Sequence, residues 1–219
     1  MSQLKIVRIH NELLGTYGDQ GNAEVLAFRA KFHGITATIF DVSYNDELPT
    51  NGDIYLLGGA EDTAQLLSLE ALKRSNNLNT LEMAIERGAV VLAICAGFQI
   101  MGRSFWANGV EVEGLGILDV TSKPGSKRIV GDIKTTSTVL GFELTGFENH
   151  MGHTTLGPTA EPFGKVLKGT GNGDDKFDGA VSGNIFGSYM HGPILARNPE
   201  LADLLLTRAT GRKYAQITD

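Results

Sequence analysis

The feature that most constrains the chain is the apolar run at 89–94, Ala-Val-Val-Leu-Ala-Ile, which breaks off at Cys95-Ala96-Gly97 and passes directly into Phe98-Gln99-Ile100-Met101-Gly102. An unbroken apolar run of this length suits a strand buried on both faces, and such strands belong to parallel sheets covered by helices. The residues after it can start a helix, so Cys95 stands at a strand-to-helix corner. The small residues flanking it fit a cramped backbone.

Runs at 4–9, 35–41 and 53–57 read as companion strands, the last ended by the sharp turn Gly58-Gly59. Segments 22–33, 63–73 and 78–87 have helical spacing, with Gly34 and Gly88 as stop signals. This alternation implies an α/β fold, a mostly parallel open sheet with helices on both faces. From 114 to 191 the texture becomes β-rich, with short runs at 116–120, 129–137 and 180–190, and the polar stretch 168–177 reads as a mobile hairpin tip. Residues 198–210 close the chain as an amphipathic helix with Asn198 as N-cap, Pro199 at the first helical position and Gly211 as stop. The 28 glycines among 219 residues, against a usual share of ~7%, supply the turns this layout needs. No repeat or long linker interrupts it, so a single domain over 1–219 is expected.

Lys+Arg 19 against Asp+Glu 25 gives a net charge of -6, the wrong sign for wrapping a phosphate backbone, and nucleic acid is excluded as a partner. No stretch approaches the roughly 18 apolar residues of a membrane span, and residues 1–7 carry no signal-peptide core, so a cytoplasmic location is expected. Cys95 is the only cysteine, which rules out a disulfide within the chain and a multi-thiolate metal site. His150 and His153 stand three apart without a third ligand at familiar spacing, so no metal site is expected. His10 ends the first run and could sit at the carboxyl edge of the sheet near a site. His33 reads as a helix-terminal surface residue.

At the corner the sulfur of Cys95 meets a helix N-terminus, where N–H groups and the helix dipole favour thiolate. The alternative is a small buried structural residue. The pattern Ile94-Cys95-Ala96-Gly97-Phe98-Gln99 resembles the nucleophile motif of class I glutamine amidotransferases, a family with a flavodoxin-like fold. The resemblance implies that Cys95 attacks the amide of glutamine, that His191 in Tyr189-Met190-His191-Gly192 is the base, and that Gly58-Gly59 helps form the oxyanion hole. A histidine followed by glycine is similar to the cobyric acid synthase-like branch. Within it, the loop 17–22, the run 146–150 and Arg128 resemble the GatD-type glutaminase subunits of lipid II isoglutaminyl synthases. That likeness implies a heterodimer with a Mur-ligase-like (MurT-like) synthetase subunit. The implied activity is hydrolysis of L-glutamine to glutamate and ammonia, which the partner uses to amidate D-glutamate of the lipid II stem peptide.

The chemistry assigns further roles. The tetrahedral oxyanion needs N–H donors, for which the backbones of Gly59 and Ala96 are candidates. Arg128 can grip the substrate α-carboxylate through a bidentate pair, unless Lys123, Lys127 and Arg128 are simply a solvated basic loop. Gln99 either binds the substrate or is a helix-surface residue, and Gly58 shares the substrate side of the turn. His150, Glu148 and Asp19 are candidates for lining the site. The loop 17–22 either lines the site or only caps a helix through Asn22. Two residues after His191, where the class I pattern carries a glutamate, this chain has Pro193. Either an acidic residue elsewhere in this chain, such as Glu148, or the docked partner then supplies the carboxylate, and the resemblance favours the partner, so an isolated subunit of low activity is expected. The chain lacks G-x-x-x-x-G-K-[ST]. No cofactor is therefore expected in it, and ATP and Mg belong to the partner. The alternatives are an amidotransferase subunit for another acceptor, such as a corrinoid, and a non-catalytic or redox thiol protein of the same fold.

Overall fold

The computed structural model describes residues 3–74 and 76–212. Its elements run β1 (Leu4–Ile9), α1 (Asn11–Leu14), α2 (Gly21–Phe32), β2 (Ala37–Val42), β3 (Ile54–Leu57), α3 (Asp62–Lys73), α4 (Asn77–Glu86), β4 (Val90–Ile94), α5 (Ala96–Met101), β5 (Ser104–Ala107), β6 (Val110–Glu113), β7 (Val120–Ser137), β8 (Glu143–Leu156), β9 (Gly164–Lys168), β10 (Phe177–Asp178), β11 (Ala180–Ser182), β12 (Ile185–Ser188), α6 (Ile194–Arg197) and α7 (Pro199–Thr210). The first sheet has the order β11-β12-β4-β3-β1-β2, parallel except for the antiparallel edge strand β11. Every residue of β3 and β4 is buried, as continuous apolar runs in a doubly covered sheet must be. Helices α2, α6 and α7 pack together as one group and α1, α3, α4 and α5 as another. In α2 the buried Ala23, Leu26 and Ala30 recur at helical spacing, and the chain leaves the helix through Gly34 at φ 70°.

The second sheet has the order β10-β9-β7-β5-β6, with β8 paired to β7. Its backbone is the long β7–β8 hairpin, whose register shifts between Pro124 and Ile129. Helices α3 and α5 contact β5, and α5 also contacts β7, so the helix after Cys95 lies between the two sheets.

Several local expectations are corrected. Only Val120 of 116–120 is strand; Leu115 and Leu118 donate to Ile100 and Met101 carbonyls, so this segment satisfies the end of α5 rather than a strand neighbour. The run 180–190 is folded back on itself at Gly183 (φ 57°), making β11 and β12 a hairpin. The supposed mobile tip at 168–177 is tied down: Thr170 and Gly171 N–H groups donate to Glu148, and Asn172 is buried and exchanges bonds with Gly179. Asn198 does not cap α7 with its side chain, which instead pairs with the Thr145 backbone. His33 is not a free surface residue, since its Nε2 lies 3.0 Å from Asp203. The β5–β6 hairpin went unread although its turn, Asn108-Gly109 with φ 50° and 78°, has the residues that two-residue hairpins prefer.

Candidate active site

Cys95 follows β4 immediately and adopts φ 52°, ψ −104°, a conformation that costs an L-residue about 1–3 kcal/mol. Three bonds hold it. Cys95 N–H donates to Ser188 O at 2.8 Å, Gln99 N–H to Cys95 O at 3.0 Å, and Gly97 N–H to Gly58 O at 3.1 Å. The strained corner is thus clamped between β12 and the turn after β3, which flank β4 in the sheet. A methyl group on Gly58 would stand 2.1 Å from Leu14 O. Gly58→Ala is accordingly expected to destabilise the protein by about 1–3 kcal/mol, read as a lower urea midpoint at unchanged m-value.

His191 lies just beyond β12, its backbone exchanging two bonds with Phe147 of β8. Its Nδ1–H donates to Asp19 Oδ2 at 2.8 Å, with both side chains buried. The carboxylate therefore comes from this chain, from the loop between α1 and α2. Of the two expected sources, an acidic residue elsewhere in the chain is the one found; the favoured source, the partner, and the example Glu148 are both corrected to Asp19. Glu148 instead accepts the 170–171 turn, and its oxygen lies 3.7 Å from His150. Burial alone would lower the His191 pKa, but the bond to Asp19 and then the Cys95 sulfur outweigh it and raise the value to about 10. The raised value favours the imidazolium at neutral pH, the form that can pair with a thiolate. Its Nε2 is buried without a hydrogen-bond partner.

Asp19 also settles the loop 17–22. Asn22 Oδ1 accepts from Leu195 N–H at 3.0 Å, so it caps α6 rather than its own helix, and the loop is tied to the His191 segment twice over. The second oxygen bond of Asp19 bears on the oxyanion donors. Gly59 N–H, expected to face the substrate, donates to Asp19 Oδ2 at 3.0 Å. Ala96 is the first residue of α5, and its N–H has no acceptor within the helix. Of the two expected donors, Ala96 is the one left open.

Over Cys95 opens a cavity of about 520 Å³. It is lined by Cys95, Ala96, Ala60 and Tyr17, by Lys123, Arg128, Asn149 and His150 of the β7–β8 hairpin, and by Asn108 of the β5–β6 turn. Arg128 donates from Nε to Asn149 Oδ1 at 2.7 Å and from Nη2 to the Tyr17 hydroxyl at 3.1 Å, so it is a positioned cation rather than part of a solvated loop. The Tyr17 ring lies 4.7 Å from that of His191 and its hydroxyl donates to Glu61. Burial and that bond push the hydroxyl up to about 12, keeping it a donor at neutral pH.

The other expected residues divide between the cavity and the core. Gln99 reaches the cavity, but its amide oxygen accepts from Gln65 at 2.9 Å and its nitrogen donates to Tyr189 at 3.0 Å, which makes it a brace. His150 stacks on Tyr189 with centroids 3.8 Å apart and lines the cavity wall. His10 is fully buried against Ser68, outside this cavity, and burial drives its pKa down to about 4. Tyr17 belongs to the loop 17–22, expected to line the site or cap a helix, and Asn149 to the run 146–150; both line the cavity. Glu61 carried no signal beyond an acidic residue ahead of a helix.

A family model of the CobB/CobQ-like glutamine amidotransferase domain matches residues 5–199. The chain belongs to this family. Among glutamine amidotransferase relatives, it is 38% identical over 218 residues to the GatD subunit of the glutamine-hydrolysing lipid II isoglutaminyl synthase of Streptococcus pneumoniae (strain ATCC BAA-255 / R6), covering 98% of this chain and 83% of that one. It is 37% identical over 216 residues to the corresponding Staphylococcus aureus (strain N315) subunit, covering 97% and 87%. A solved glutamine amidotransferase structure superposes with a TM-score of 0.62 at 16% identity, covering 93% of this chain and 98% of that one, which shows the shared fold.

Proposed function

We propose that the chain is the glutamine-hydrolysing subunit of a lipid II isoglutaminyl synthase. It hands ammonia, in the cytoplasm, to a Mur-ligase-like (MurT-like) partner that amidates D-glutamate of the lipid II stem peptide with ATP and Mg. The observation that carries the hydrolytic half is the buried Cys95, His191 and Asp19 arrangement under a cavity bearing Arg128. A redox thiol needs neither a carboxylate-held imidazole nor a positioned guanidinium. The likeness to the two GatD subunits over nearly the whole chain supports the acceptor and the partner. No helix among the described residues is long and apolar enough to cross a membrane.

The Cys95 thiolate adds to the carboxamide carbon, and the oxyanion is met by Ala96 N–H. His191 gives its Nε2 proton to the departing nitrogen, leaving a γ-glutamyl thioester and ammonia. The neutral imidazole then takes a proton from water as that water attacks the thioester, and glutamate leaves with the thiolate restored. Asp19 holds the ring in the tautomer that points Nε2 at the reacting atoms.

Arg128→Ala should raise KM for glutamine about 10- to 100-fold, the value of a charge-assisted clamp, with a smaller effect on alkylation of Cys95 by iodoacetamide. Equal loss of both would assign Arg128 to the thiolate instead. The whole reading is tested by mixing the chain with its Mur-ligase-like partner, ATP, Mg, lipid II and amide-labelled glutamine. Label should enter the stem-peptide D-glutamate only when Cys95 is intact. Glutamine hydrolysis without partner-dependent transfer would assign another acceptor.

A further inference from the structure

The cavity carries more charge than hydrolysis of an amide requires. Four charged side chains line it: Glu61, Asp62, Lys123 and Arg128. Asp62 is engaged by Asn108 N–H at 2.7 Å. Glu61 is different. Its Oε1 accepts the Tyr17 hydroxyl and lies 3.5 Å from Arg128 Nη2, while its Oε2 and Arg128 Nη1 have no hydrogen-bond partner among the described residues. The pair is half-exposed, and an ion pair of that kind is worth only about 0–1 kcal/mol to the fold. Two opposite charges stand side by side in the substrate cavity with a free hydrogen-bonding site on each.

We propose that Glu61 binds the α-ammonium of the substrate while Arg128 takes its α-carboxylate, so that the site selects a free α-amino acid amide over one whose amine is absent or acylated. The proposal rests on the reading of the chain as a glutaminase. Tyr17 sets the scale, because its ring lies on His191 and its hydroxyl meets both charges. The head-group clamp is thus one tyrosine side chain from the catalytic imidazole, and two methylenes separate the carboxamide of glutamine from its α-carbon. Charge balance agrees with this placement. Glu61 offsets Arg128, and a zwitterionic head group adds no net charge. A ligand with a carboxylate and no ammonium would leave Glu61 facing an uncompensated anion.

The test is steady-state ammonia release by the full chain, with its synthetase partner present, from L-glutamine, from glutaramic acid (glutamine without the amine) and from N-acetyl-L-glutamine. The wild type should prefer L-glutamine by about 100-fold or more in kcat/KM, because a site built to bond a substrate N–H rejects analogues lacking it. Glu61→Gln should raise KM for L-glutamine about tenfold or more, by far more than it lowers kcat, and should shrink the preference over glutaramic acid by the same factor. Glu61→Asp keeps the charge and should retain most of the preference. If Glu61→Gln left KM unchanged, or lowered it by freeing Arg128, Glu61 would be only a counter-ion and the proposal would fail. Absence of ammonia release by the wild type would overturn the glutaminase reading itself.

Discussion

Cys95→Ala is expected to reduce glutamine hydrolysis by about 10⁴-fold or more, to the background of the assay, with the thermal midpoint within about 4 °C of the wild type. The loss is chemical: without sulfur no thioester forms, and binding alone leaves the amide intact. Cys95→Ser should fare little better, since a hydroxyl at this corner is a far weaker nucleophile near neutral pH. The fold should tolerate both changes because the clamping bonds at Cys95 are made by its backbone. Ammonia release by purified Cys95→Ala would contradict the covalent route.

Asp19→Asn should lower kcat/KM for glutamine by about 10²–10⁴-fold, the range seen when the carboxylate behind a catalytic histidine is neutralised. The variant also has a pH signature. The folded His191 pKa is raised from 6.5 to about 10, so the stabilisation it reports is fully present below pH 6.5 and is lost as pH rises through about 10. The stability gap between wild type and Asp19→Asn should therefore be widest near pH 6 and close towards pH 10, measured by denaturant titration across that range. The alkaline limb of kcat/KM should move to lower pH in the variant. Unchanged kcat/KM would return the carboxylate role to a docked partner.

The contrast between Cys95 and Asp19 explains what the sequence could reveal. The elbow is a local event, an apolar strand running into small residues, and local patterns survive in one dimension. The parallel strands and helices were legible for the same reason, down to Gly34, Gly88 and Gly211 at the helix ends. Asp19 meets His191 across 172 positions of chain, and its neighbours Gly18 and Gln20 hold nothing that announces a catalytic carboxylate. Pro193 stands where the usual glutamate is missing, and the group that replaces it lies in the loop between α1 and α2. Gln99 stands in the motif and lines the cavity, but the residues that brace it, Gln65 and Tyr189, are distant in sequence. The turn 168–177 looked mobile because glycine and acidic residues suggest solvent, whereas Glu148 gathers its N–H groups from β8.

The cavity draws Cys95 from the corner after β4, Tyr17 and Glu61 from loops of the first-sheet layer, and Arg128 from the β7–β8 hairpin of the second sheet. The grip on the head group is therefore split across the two sheets, one charge from each. Drift in the hairpin can retune the half that holds the carboxylate while the elbow and the Glu61 side pass unaltered from ancestor to descendant. An engineer grafting a foreign hairpin onto this scaffold would have to preserve the Phe147 bonds to His191 and return a cation opposite Glu61.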